Sequence, residues 1–277
     1  MTQNVSYITN PGYPTAYTVT AATTCSYSVT PLSSSICQLR LDFDAFNLAI
    51  VSTTGACTDT FAVTMGSGVD YPKLCGINTG HHIYLDTGRA TSDQTLSFTV
   101  AAAGSATYKI KVSQIECSAT YRAPPDCYQY YTGRNGRVKS FNRASGRMLH
   151  NLRYQACVRR EPGTCGINWS VTSTTEYAPL PAFALNADAM AATGKTAVAY
   201  STYISIPGSD GGSYSGTILA QLDDETVSAV IPATGLLYSV DVFTVAPAAA
   251  DNAYGFDLTY NQAGCLSSYA NNVPRIA

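Results

Sequence analysis

Gln38-Leu39-Arg40-Leu41-Asp42-Phe43-Asp44 is the stretch from which the fold is read. Apolar Leu39, Leu41 and Phe43 alternate with polar Gln38, Arg40, Asp42 and Asp44. A period of two places the three apolar side chains on one face of an extended strand. The same alternation recurs in Phe61–Met65, Leu96–Val100, Tyr108–Val112, Tyr203–Ile206, Tyr238–Val242 and Phe256–Tyr260. Gly, Pro and Asn punctuate between these runs. Short strands separated by turns predict an all-β protein of sandwich type. One helix-tolerant run, near Asn186 to Ala192, is short and Ala-rich.

Composition narrows the class. At 45% hydrophobic the chain can bury a sizeable core, so it is not a disordered polymer. Charged residues make up 12%, about half the usual share, and Tyr is abundant at 20. Low charge with many Tyr and β-branched residues disfavours helix bundles and coiled coils. A net charge of -2 disfavours a general nucleic-acid binder. No apolar run of about 18 residues exists, so no transmembrane helix is expected. Met1-Thr2-Gln3-Asn4 lacks the apolar run of a signal peptide, so the compartment is read from the cysteines.

There are nine cysteines: Cys25, Cys37, Cys57, Cys75, Cys117, Cys127, Cys157, Cys165 and Cys265. No C-x-x-C occurs, and His81, His82 and His150 do not complete a zinc set with them. The cysteines sit beside strand-like segments, which reads as a disulfide framework formed in an oxidising compartment. Nine is odd, so one thiol is free, pairs with another chain, or has a partner outside this sequence. Two sequons agree with secretion and mark Asn4 and Asn168 as glycosylation candidates. In Ile167-Asn168-Trp169-Ser170-Val171 the alternation turns Asn168 and Ser170 away from the core.

Ala123-Pro124-Pro125 lies inside the best boundary, because Pro-Pro has no backbone donors and favours an extended link. The expected division is residues 1–118, a linker at 119–126, and residues 127–277. The halves echo each other: Cys25…Cys37 resembles Cys157…Cys165, and Cys117 follows a strand as Cys265 does. A duplicated domain explains both.

The run Asn10-Pro11-Gly12-Tyr13-Pro14, followed by Cys25-Ser26-Tyr27, resembles the opening of a CUB domain. Cys57-Thr58-Asp59 and Cys75-Gly76 resemble the second CUB cysteine pair. Gly136–Asn142 and Tyr254–Tyr260 resemble the opening and closing strands of a second, divergent copy. Ile36–Phe43, Leu74–His82, Gln114–Cys117, Cys127–Gly133 and Ser140–Asn142 resemble secreted arthropod proteins with two tandem CUB-like domains. The resemblance implies a jelly-roll sandwich in each half, secretion and a non-enzymatic binding role.

The repeat suggests Cys25–Cys37, Cys57–Cys75 and Cys157–Cys165 as short local loops. Cys127 then pairs with Cys265 or with Cys117, and the odd thiol lies among Cys117, Cys127 and Cys265. The CUB pattern itself implies Cys127 with Cys157.

No catalytic set is present: neither Gly-x-Ser-x-Gly, nor Ser-x-x-Lys, nor His-Glu-x-x-His occurs. Gly194-Lys195-Thr196 lacks the first Gly of a phosphate loop and reads as a surface turn. His81-His82 reads as a surface loop, and Asp223-Asp224-Glu225 as a solvated one. The calcium set implied by the CUB resemblance keeps only Asp59. Ala49 stands where its Glu is expected, Thr99-Val100-Ala101-Ala102 carries no Asp, and Thr202 stands near the second-half equivalent of Asp59. No metal or cofactor is expected.

Charge is strongly segregated. Residues 134–160 hold eight cations and no anion, while residues 161–277 hold two cations and ten anions. The basic loops fold against the acidic remainder of their own half, or they serve an acidic partner. Arg134, Arg137, Lys139, Arg143 and Arg147 are the candidates for the second role. The expectation is a secreted, non-enzymatic interaction protein that recognises proteins or glycans. Loops at the sandwich ends, around Ser67–Tyr71 and Gly208–Gly216, would make the contact. Alternatives are a self-assembling structural protein, an oligomer binding an apolar small molecule, or the regulatory part of a larger protein.

Overall fold

The computed structural model describes residues 4–50, 55–65, 71–88, 92–173, 176–185, 202–210, 212–220, 228–245 and 253–265. Among these residues helix is confined to one 3-10 turn, Arg143–Ser145, and no helix is long and apolar enough to cross a membrane. The run at 186–192, the triplets at 194–196 and 223–225, and most of the 67–71 loop lie outside the described residues.

The first half forms β1 (Val5–Thr9), β2 (Tyr17–Thr18), β3 (Thr23–Val29), β4 (Ile36–Leu48), β5 (Thr60–Thr64), β6 (Gly76–Ile77), β7 (His82–Asp86), β8 (Gln94–Val100) and β9 (Ser105–Glu116). The second half continues with β10 (Cys127–Tyr131), β11 (Asn135–Lys139), β12 (Arg153–Val158), β13 (Thr164–Val171) and β14 (Phe183–Ala184). After these come β15 (Tyr203–Ser205), β16 (Ser213–Tyr214), β17 (Ile231–Ala233), β18 (Tyr238–Phe243) and β19 (Gly255–Gly264). One sheet of the first half runs β1-β9-β4-β6, with β2 also on β9 and β7 also on β4; the other runs β3-β8-β5. The second half has β10-β12-β18-β15-β16 and β11-β19-β13-β17, with β14 also on β19. No sheet among the described residues mixes strands of the two halves. The β10–β12 pair is parallel and the other strand pairs are antiparallel.

The alternation in β4 holds until a bulge between Phe43 and Ala45. One extra residue shifts the inward set from Leu39, Leu41 and Phe43 to Phe46 and Leu48, all buried. Phe43 and Phe46 meet Phe61 of β5 and Phe98 of β8, and Phe98 stacks on Tyr108 of β9 at 3.7 Å. Rings from two sheets thus fill one layer, as a sandwich requires. Each such ring contributes about 1.5–3 kcal/mol by leaving water. In the second half Trp169 is fully buried 5.7 Å from Tyr260, in the same buried core as Leu258, Val240 and Phe256.

Cysteines pair between neighbouring strands. Cys37 on β4 joins Cys117 after β9 with Cα atoms 4.8 Å apart, and Cys57 joins Cys75 at 5.5 Å. Cys127 on β10 joins Cys157 on β12 at 5.6 Å, and Cys165 on β13 joins Cys265 after β19 at 4.8 Å. The expected Cys25–Cys37 and Cys157–Cys165 loops do not form, because their members belong to different sheets. Cys127–Cys265 and Cys117–Cys127 are excluded because each of these thiols already has another partner: Cys37 for Cys117, Cys157 for Cys127 and Cys165 for Cys265. The free thiol is Cys25, not one of Cys117, Cys127 and Cys265. The pairing changes the energetics. Bridges spanning 80 and 100 residues restrict the unfolded chain by about 4.5 kcal/mol each, against about 3 kcal/mol for the span of 18.

The Pro-Pro segment is fastened down rather than a free extended link. Ala123 is buried, its N–H donates to Gln38 Oε1 at 2.9 Å, and its carbonyl accepts from Gln38 Nε2 at 3.3 Å. Gln38, read from the sequence as an outward polar residue, is 1% exposed because this segment covers it.

Candidate interaction site between the two halves

β7 is an edge strand of its sheet. Its residues face β4 in register: Asp86 opposite Gln38, Tyr84 opposite Arg40, His82 opposite Asp42. Alternation assigns this polar face to solvent. The second half covers it instead, with Cys127-Tyr128-Gln129-Tyr130-Tyr131 of β10, of which only Tyr131 is not fully buried. Tyr130 meets Tyr84 edge-on at 5.9 Å, and Tyr131 meets His82 at 4.9 Å.

The histidine pair is therefore not the surface loop expected from sequence. His81 packs on Phe141 at 5.3 Å, and Gln129 Nε2 donates to its Nδ1 at 3.1 Å. His82 Nε2 lies 2.9 Å from the Tyr130 carbonyl oxygen and 3.1 Å from the Tyr130 nitrogen. It can therefore donate to the first or accept from the second, according to tautomer. Burial penalises the imidazolium form and holds His81 down to about 3 and His82 to about 4. Lys139 lowers His81 further, and Arg40 lowers His82.

A second anchor is Asn142, in the left-handed region at φ 61. Asn adopts that region more readily than most residues. Its Oδ1 accepts from the Ile77 N–H at 2.8 Å, and its own N–H donates to Asn78 Oδ1 at 2.7 Å. Its Nδ2 donates to the Arg147 carbonyl at 2.8 Å. Gly76, at φ +77, makes this approach possible, since a Cβ there would fall 1.9 Å from Asn142 Oδ1. The third anchor is Tyr128. It stacks on Tyr71 at 5.7 Å, donates to the Pro72 carbonyl at 3.3 Å and packs against Phe141 and Tyr154.

Beside these contacts lies a cleft of about 540 Å³. Tyr71, Pro72, Tyr84, Tyr128, Tyr154 and Phe243 give it apolar walls, and Asp86, Asp126, Arg153, Gln155 and Asp241 its polar groups. Burial raises the Asp86 carboxyl above its usual range, and neighbouring Asp126 adds to this. Tyr71 is pushed up to about 12, chiefly by burial, with Asp86 and Asp126 contributing.

The five cations singled out in the basic run have partners within their own half. Arg137 bridges buried Asp257 and, at 2.8 Å, Glu176; Lys139 lies 3.5 Å from Glu176. Arg143 is 1% exposed, and its guanidinium donates to the Pro181 carbonyl at 2.6 Å. Arg147 covers the Tyr254 ring at 5.7 Å, and exposed Arg134 donates to the Pro162 carbonyl at 2.8 Å. The acidic remainder and the carbonyls of the same half engage these cations, because buried carboxylates such as Asp257 need a counter-charge. Glu176 is lowered to about 2, first by a hydrogen bond with Tyr177 and then by Arg137.

Other singled-out positions are dispersed. Asn4 and Asn168 are both exposed, Asn168 beside buried Trp169 on β13. Asp59 is fully buried and accepts from the N–H groups of Ala49 at 3.1 Å and Ala101 at 2.8 Å. The one carboxylate retained from the calcium pattern thus ties together the segments from which other ligands would come. Among the described residues no three or more His, Cys, Asp or Glu side chains converge on one point. Of the 208–216 loop, Ser209 Oγ hydrogen-bonds Tyr214 at 3.0 Å.

Paired β-sheets, disulfides across neighbouring strands and a buried aromatic filling define a disulfide-stapled all-β module of a kind that suits an extracellular protein. Residues 124–263 match the model for the animal CUB domain, half of the chain, and the chain belongs to that family. No curated protein matches it. Similar solved structures include the CUB1-EGF-CUB2 domain of human MASP-1/3, 13% identical, with 94% of this chain and 100% of that chain covered and a TM-score of 0.32. The CUB1-EGF-CUB2 domains of rat MASP-1 are 13% identical, with coverages of 94% and 98% and a TM-score of 0.31. The full extracellular region of zebrafish Gpr126/Adgrg6 is 13% identical, with coverages of 98% and 37% and a TM-score of 0.30.

The anchors Gln38, Asn142, Tyr71 and Tyr128 escaped the sequence reading. One signal for them was present. Tyr128-Gln129-Tyr130-Tyr131 does not alternate, which marks a strand covered on both faces.

Proposed function

We propose that the chain is a secreted, non-enzymatic interaction protein of two tandem CUB-like sandwiches, residues 1–118 and 127–277, joined by 119–126. It recognises an extracellular protein or glycan through loops at the sandwich ends. The observation that carries the reading is the CUB match of the second half beside a first half of the same two-sheet, disulfide-stapled build. Rigid frames of this kind leave end loops free to vary. Self-assembly through opposed charges has less support, because Arg137, Lys139 and Arg159 already pair within the second half.

The test is a binding screen of the full chain against purified extracellular proteins and glycans. Each hit is repeated with residues 67–70 or 209–212, which leave Tyr71 and buried Tyr214 in place, replaced by Gly-Ser of equal length. Saturable binding that is lost on replacement, at unchanged melting temperature, is expected. Binding indifferent to both replacements, or no saturable partner at all, would overturn the proposal.

A further inference from the structure

We propose that the cleft between the two halves binds a small organic ammonium ion carrying an apolar body, at a site separate from the sandwich-end loops. Its volume of about 540 Å³ lies within the usual range for small-molecule sites. Three carboxylates, Asp86, Asp126 and Asp241, line the cleft with one guanidinium, Arg153, and Arg122 acts on Asp86 from beside it, so the carboxylates still outnumber the cations. Arg153 does not neutralise them. Its guanidinium lies over the Phe243 ring at 5.2 Å, and it forms no ion pair among the described residues.

The carboxylates are oriented but not saturated. Gln38 Nε2 donates to Asp86 Oδ1 at 3.0 Å, and Gln155 Nε2 donates to Asp241 Oδ1 at 2.7 Å. Asp86 Oδ2, Asp241 Oδ2 and the Asp126 carboxylate take no hydrogen bond among the described residues. A second observation is independent of charge. Aromatic side chains, Tyr71, Tyr84, Tyr128, Tyr154 and Phe243, line the same cleft.

The chemistry of the lining selects the ligand. An anion would meet the excess of carboxylates. A neutral apolar molecule would strip water from them without replacing it. A compact metal ion needs ligands converging on one point, and no such group of His, Cys, Asp or Glu exists among the described residues. An ammonium group beside aromatic faces gains from the ring quadrupoles as well as from the carboxylates. The aromatic walls receive the apolar body.

The experiment is calorimetric titration of the full chain at low ionic strength. The probes are tyramine, phenethyltrimethylammonium and tyrosol, a neutral alcohol with the same ring as tyramine. At least one ammonium probe should bind saturably, and tyrosol at least tenfold more weakly. Asp126→Asn with Asp241→Asn should weaken the ammonium probe at least tenfold, while Arg153→Ala, which removes the competing cation, should tighten it. Melting temperatures identify any variant that fails to fold, and Arg153→Ala alone then decides. Absence of saturable binding for both ammonium probes, equal binding of tyrosol, or indifference to these substitutions would overturn the proposal. Macromolecular binding through residues 67–70 and 209–212, none of which lines the cleft, is read separately, so either idea can fail alone.

Discussion

Acidification from pH 7.5 to pH 5 should loosen the contact between the halves through His81 and His82. Both are held neutral in the folded chain, at about 3 and about 4, against an ordinary value of 6.5. Above pH 6.5 neither state binds the proton, and the pair has no pH-dependent effect. As pH falls below 6.5 the unfolded chain takes up protons that the folded chain refuses, so stability is lost down to about pH 4. Each unit costs about 1.4 kcal/mol per imidazole, hence about 2 kcal/mol per imidazole at pH 5 and about 4 kcal/mol for both. The groups facing the pair are Lys139 at His81 and Arg40 and Asp42 at His82. The two cations oppose protonation. Asp86 works in the opposite sense, because its raised carboxyl protonates earlier in the folded chain and returns some stability. The assay is urea unfolding at half-unit steps from pH 7.5 to 4.5. With a slope of about 3 kcal/mol/M the midpoint falls by about 1 M at pH 5. His81→Gln with His82→Gln should start less stable and lose the pH dependence between 6.5 and 5. A flat wild-type midpoint over that window, or an unchanged slope in the double variant, refutes the reasoning.

Arg137→Ala should cost about 3–5 kcal/mol by leaving the 2%-exposed Asp257 unpaired, read as a fall in melting temperature. Gly76→Ala should lower it too, since its Cβ has nowhere to go except into Asn142; a melting curve matching wild type would sink that claim. Cys25 should be the one thiol that reacts with iodoacetamide, and non-reducing peptide maps should join Cys37 to Cys117 and Cys165 to Cys265. Asp59→Ala should cost about 2–4 kcal/mol, because the Ala49 and Ala101 N–H groups lose their acceptor; differential scanning calorimetry checks this.

The strands were legible because alternation reports one buried face, and β4, β8 and β9 each bury the face their sequence indicates. The disulfides were not, apart from the local Cys57–Cys75 loop and the Cys127–Cys157 bridge that the CUB resemblance implied. Pairing follows strand neighbourhood, and β4 meets β9 across most of the first half. The contact between the halves was hidden for a related reason. Gln38, His82 and Asp86 are polar and alternate correctly, so they read as solvated. Gln38 is covered by the Ala123 segment and His82 is partly covered by β10, both arriving from later in the chain, and nothing within β4 or β7 encodes that. The basic run was visible as charge alone, because Glu176 and Asp257, which engage Arg137, lie 39 and 120 residues away.

The hold of Gln38 on Ala123 bears on where the chain can be cut. Residues 124–263 are the recurring module, yet that boundary falls one residue after the clamp. Excising the module would take Tyr71 and Pro72 from Tyr128 and His81 from Phe141, both nearly fully buried in the whole chain. The stretch that matches the family and the stretch that buries these rings are then of different sizes. A fragment ending at the module's edge would be a sticky, partly unzipped half rather than a smaller version of the protein.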